Sequence, residues 1–106
     1  MITHADVVDY LAERRARGLL EHAALVDLNG AETNLTADQI RDLTDLRRRL
    51  RRSHTLGPTA VVAQNDLLYG MMRMYQILME DADQFLVARD EGEAERWLEA
   101  IATREA

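Results

Sequence analysis

The segment TAVVAQNDLLYGMMRMYQILMEDADQFLVARDEGEAERWL, residues 59–98, changes its hydrophobic spacing from strand to helix, back to strand and back to helix. TAVVA is short, apolar and led in by Pro58. Leu67, Met71, Met74, Tyr75 and Leu78 then recur at helical spacing, FLVA interrupts them, and Ala94, Trp97, Leu98 and Ile101 resume the helical period. Strands that alternate with helices imply a parallel α/β sheet, because a parallel neighbour is reached only through a crossover long enough to hold a helix.

The alternation extends upstream. AALVDL, residues 23–28, closed by Asn29 and Gly30, has the composition of a buried strand. Asp27 near its end fits a carboxylate bonded to a loop amide better than a catalytic acid, since buried carboxylates are nearly always paired. Thr36 opens a helix with T-A-D-Q, a capping box in which the hydroxyl accepts from the helix start while Gln39 reaches back. Ile40, Leu43, Leu46 and Leu50 form its inner stripe. Asp38, Asp42 and Asp45 come early and Arg47, Arg48, Arg49, Arg51 and Arg52 late, the distribution the helix dipole favours. Thr3 with Asp6 caps a first helix that carries Val7, Val8 and Leu11 and ends near Gly18. Asn65 or Asp66 caps the third helix, and Asp90 with Glu93 the last.

The fold class expected is therefore α/β, a small parallel sheet of about three strands, at about 23–28, 59–63 and 85–89, flanked by four helices. The crossovers should be right-handed. Trp97 should lie buried against the sheet beside Leu98 and Ile101.

A chain of 106 residues suits a single domain, 1–106, and 47% hydrophobic with 30% charged residues places it among globular rather than disordered sequences. The net charge of -6 argues against nucleic acid and anionic membranes as partners. With no cysteine, there is no disulfide framework, thiolate nucleophile or zinc-thiolate site, and a reducing compartment fits. MITHADVVDYLAERR is amphipathic and charged rather than continuously apolar, and no run is long enough to span a bilayer, so the expected location is the cytoplasm.

Few residues invite a chemical role. His4, His22 and His54 are scattered, without the i, i+4 spacing of a metal pair, and neither Asn29-Gly30 nor Gly57-Pro58 matches a nucleotide-binding loop. Met71, Met72, Met74 and Met79 read as core packing, and no cofactor is expected. The run RRRLRR, residues 47–52, reads as a solvated helix end, with Asp45 able to pair with Arg49. Gly70 inside a helix costs about 1 kcal/mol relative to Ala, which suggests close approach of another backbone, most simply the sheet.

LVDLNGAETNLTADQI, then AVVAQNDLLYGMMRMYQ, then FLVARDEGEAERWL resembles the SpoIIAA-like branch of the STAS superfamily, small bacterial proteins related to anti-sigma-factor antagonists. The resemblance runs from Ala24 onward and is most specific at Asp66-Leu67-Leu68-Tyr69-Gly70 with Met71, Arg73, Met74 and Tyr75, and at Arg89-Asp90 with Trp97-Leu98. Residues Ala5 to Arg17 are similar to the family's first helix more loosely. Members of that family begin with a β-hairpin, whereas this chain starts almost at the helix, so the sheet should lack those strands. In the antagonists a phosphorylatable Ser sits in Asp-Ser-Ser-Gly at the start of the helix after the LVDL-type strand. Here Asn34-Leu35-Thr36-Ala37 stands at that place, which leaves Thr36 as a candidate phosphoacceptor beside its role as a cap.

The resemblance implies a non-enzymatic regulatory or protein-interaction module. A binding module for a small apolar ligand would instead use the carboxyl ends of the strands, near Asn29, Gln64, Asn65, Tyr69 and Arg89. An enzyme would use the carboxylates Asp27, Asp66 and Asp90. A short sheet with no Pro or Lys within its strands also predicts a homodimer, paired edge to edge or through the first helix with Val7, Val8 and Leu11.

Overall fold

A computed structural model describes residues 1–79 and 84–105. In chain order the elements are α1 (His4–Ala16), β1 (Ala24–Asp27), α2 (Ala37–Ser53), β2 (Thr59–Val62), α3 (Asp66–Met79), β3 (Phe85–Ala88) and α4 (Glu91–Glu105). The three strands form one parallel sheet in the order β1-β2-β3, with Ala24 opposite Thr59 and Thr59 opposite Phe85. The α/β class, the four helices and the positions of the strands match the sequence expectation.

Each start signal acts as anticipated. Thr3 and Thr36 both make reciprocal capping boxes, with Asp6 and Gln39 respectively. Asn65 is the residue that caps α3, its Oδ1 accepting from the amides of Leu67 and Leu68. Asp90 Oδ1 accepts from the Glu93 amide at the start of α4. Gly18, just past α1, has a φ of 69°, a left-handed conformation that glycine adopts without a Cβ clash.

The crossover helices α2 and α3 cover the same sheet face, as expected when strands are added in one direction with one hand of crossover. There Ile40 and Leu43 of α2, with Tyr75 and Met79 of α3, pack on Val61, Phe85 and Val87. The Tyr75 and Phe85 rings meet edge to face at 5.3 Å. Val7 and Val8 of α1 pack on this cluster and Leu11 is buried, so the apolar face of α1 is engaged inside the chain. On the other face α4 lays Ala94 against Ala60, Val62 and Ala88. Small side chains on that face let the helix sit close to the sheet.

Several expectations change in physical detail. β1 is an edge strand and not a fully buried one: Leu25 is 36% exposed and Asp27 is open to water, because α4 lies mainly over β2 and β3. The continuous apolar burial belongs to β2, the central strand, whose four residues are all buried. Trp97 is half-buried at the margin of the α4 contact rather than enclosed by it.

The inner stripe of α3 keeps Tyr75, buried as anticipated, with Met71 and Leu78 packed partly on the core, but loses Leu67 and Met74 to the surface. Leu68, Tyr75 and Met79 are buried, while Leu67 is 63% exposed and Met74 lies at the surface. Gly70 faces open space, so a Cβ there would touch nothing within 4 Å. Close backbone approach occurs instead at Gly57, where a Cβ would collide with the carbonyl groups of Glu21 and His22 and where the amide donates to Leu20 O at 2.8 Å.

Candidate functional site

The loops that follow the three strands converge at one end of the sheet. Asn29 follows β1, Gln64 and Asn65 follow β2, and Arg89 follows β3, with Tyr69 on the first turn of α3 beside them. Parallel strands all end at the same edge of the sheet, whichever face the next helix takes, which is why distant residues meet here.

The cluster is knit together by its own side chains. Arg89 Nη1 donates to Gln64 O at 3.0 Å and to Asp66 Oδ1 at 2.7 Å, and its guanidinium lies 3.9 Å over the Tyr69 ring. Asn29 Oδ1 accepts from the Gln64 amide at 3.3 Å. All five anticipated residues thus come together, four in one linked network and Asn65 as the adjoining helix cap. Asn29, Gln64, Asn65 and Arg89 are exposed while Tyr69 is half-buried against the core, and the two cavities described below are lined by none of the five.

Each of the candidate carboxylates has a local partner. Asp27 Oδ1 accepts from the Asn29 amide at 2.9 Å, the loop-amide role its place at the strand end suggested. Asp66 pairs with Arg89, and Asp90 caps α4. All three are exposed to water. Among the described residues no group of three His, Asp or Glu side chains is placed to hold a metal ion. Thr36 is exposed, its Oγ1 accepting from the Gln39 amide at 3.1 Å while Gln39 Oε1 accepts from the Thr36 amide.

The RRRLRR run divides. Arg47 is only 7% exposed, donates to Thr59 Oγ1 at 3.2 Å and holds its guanidinium 5.4 Å from the centre of the Phe85 ring. Arg48 donates to the carbonyl of Leu78 near the end of α3 and lies 3.9 Å from Asp45. Two of the arginines therefore clamp α2 to its neighbours, and the solvated-end reading fails for Arg47. Arg47 falls four positions after Leu43 and three after the buried Thr44, so helical spacing alone marks its place on the inner face.

Two concavities lie elsewhere in the molecule. An apolar cavity of about 220 Å³, open to the surface on one side, lies between α1, α2, α3 and the sheet face that they cover. A second, shallower space of about 400 Å³ runs between α1 and α2, along Leu11, Ala12, Leu46 and Leu50. Neither is signalled by a sequence motif, since each is produced by the packing of elements far apart in the chain.

No family model, curated protein or solved structure matches the chain. Among the described residues no helix is long and apolar enough to cross a membrane.

Proposed function

We propose that the chain is a non-enzymatic, STAS-like interaction module of the bacterial cytoplasm that acts as a homodimer, with the outer face of α3 as its contact. The observation that carries this reading is a stripe of exposed apolar residues, Leu67, Met74 and Ile77, with Leu67 and Ile77 each 63% exposed. Leu67 and Met74 are one seven-residue repeat apart, the spacing by which one helix presents a seam to another. Gly70 lies between them and leaves a notch in which a second helix can cross closely.

A second copy of the same helix fits the stripe by charge. Asp66 and Arg73, both exposed, flank it on one side. An antiparallel crossing at Gly70 brings Leu67 over the partner's Met74 and sets each Asp66 near an Arg73, whereas a parallel one opposes like charges. The STAS-like part of the reading is supported by the order of strands and crossover helices, and by Thr36 standing at the start of α2. The non-enzymatic part draws on the structural roles of Asp27, Asp66 and Asp90 as turn, ion-pair and cap acceptors.

Sedimentation equilibrium at micromolar concentration tests the dimer. The wild-type chain is expected at twice the monomer mass, and Leu67→Glu with Ile77→Glu at the monomer mass with an unchanged far-ultraviolet dichroism spectrum. A wild-type monomer, or a dimer indifferent to both substitutions, overturns the α3 contact.

A further inference from the structure

We propose that the cavity beneath α1 is a binding site for a small uncharged hydrocarbon-like molecule, of the size of a substituted single ring or a bicyclic. Val61 and Phe85 of the sheet form its floor, Ile40 and Tyr75 its walls, and Val7 and Leu11 of α1 its roof. The volume of about 220 Å³ exceeds the roughly 150 Å³ at which a dry apolar cavity accepts benzene.

The chemistry of the lining sets the ligand class. Thr33 Oγ1 donates to Ile2 O at 2.9 Å and accepts from the Leu35 amide. Thr59 Oγ1 accepts from Arg47, whose guanidinium also lies over Phe85. Among the described residues no buried side-chain nitrogen or oxygen lacks a hydrogen-bond partner. Arg47, the cation of the lining, is already bonded to Thr59 and placed over the Phe85 ring, and the Asp6 carboxylate stands at the mouth, so a carboxylate gives up its hydration for little return, as a sugar does on the almost wholly apolar walls. A molecule with no polar demand meets no such obstacle.

Access is provided for as well. Tyr10 and Asp6, both lining the cavity, are exposed, so it reaches the surface beside α1 and the sheet need not open. The roof is one helix, anchored at its start where Ile2 bridges Thr33 and the Ile2 amide donates to Glu32 O at 2.6 Å. The Leu67–Ile77 stripe lies on the opposite side of α3, so this site and the dimer contact stand or fall separately.

Naphthalene serves as the probe and benzoate as its polar counterpart, read by the thermal unfolding midpoint and by methyl NMR shifts of the intact chain. Saturable stabilisation by naphthalene is expected, with shifts at Val7, Leu11, Ile40 and Val61 and with no comparable effect of benzoate. Val7→Phe, which fills the space from the roof, should weaken naphthalene binding by about tenfold or more while the dichroism spectrum is retained. The methyl map of the wild-type chain carries the test by itself if that variant does not fold. Absence of any midpoint or methyl change up to the solubility of naphthalene overturns the site. So do shifts confined to Leu67, Met74 and Ile77, or equal stabilisation by benzoate.

Discussion

Arg47, in the second half of α2, donates a hydrogen bond of 3.2 Å to the hydroxyl of Thr59, the first residue of the central strand. A charged side chain thus joins a helix to the middle of the sheet from a buried position. A charge held out of water depends on each of its acceptors, so the bond matters more than its length suggests.

Thr59→Val keeps the shape of the side chain and removes the acceptor. The expected cost is about 1 to 3 kcal/mol, measured as a lowered midpoint in urea with an unchanged slope. A neutral result would show that the guanidinium is fully served by its other interactions.

Gly57 and Gly70 should respond to alanine in opposite directions. Gly57→Ala drives a Cβ into the Glu21 and His22 carbonyls and should destabilise by more than about 2 kcal/mol. Gly70→Ala adds a methyl in open space inside a helix and should stabilise by about 0.5 to 1 kcal/mol, if the crossing partner tolerates it. Melts at low protein concentration separate the helix effect from the contact between copies.

Thr36→Ala should cost about 1 kcal/mol through loss of the α2 cap and leave self-association intact. If the variant keeps its stability and loses a phosphorylated species in cells, detected by intact-mass spectrometry, Thr36 acts as a phosphoacceptor and not merely as a cap.

Trp97→Ala should cost less than the roughly 3 to 5 kcal/mol of an enclosed aromatic, about 2 kcal/mol, because the side chain lies at the margin of the α4 contact. Tryptophan fluorescence of the wild-type chain should accordingly show partial quenching by acrylamide.

The strands and helix starts were legible because their signals are local: Thr3, Thr36 and Asn65 each act within a few residues of themselves. The convergence of Asn29, Gln64 and Arg89 was also legible, since the alternation of strands and helices dictates where successive loops meet. The phase of α3 was legible only in part. Leu67 and Met74 satisfy helical spacing with Met71, Tyr75 and Leu78 as well as Leu68, Met72 and Met79 do, and only the sheet decides which side of that broad apolar face turns inward. Arg47 was misplaced because a run of like charges suggests water, although its helical position pointed inward. The stacking of Arg89 on Tyr69 and the space beneath α1 arise from tertiary packing and leave no mark in any short segment.

Strand order that follows chain order has a consequence for how the protein is made. Each new strand pairs with the one synthesised just before it, so the sheet can grow by one edge at a time on the ribosome, with α2 and α3 docking as they appear. The opposite face waits. Until α4 emerges, Ala60, Val62 and Ala88 remain bare on a sheet whose edges are unpaired, and a chain stalled or clipped near Arg89 would be a sticky intermediate for chaperones to hold.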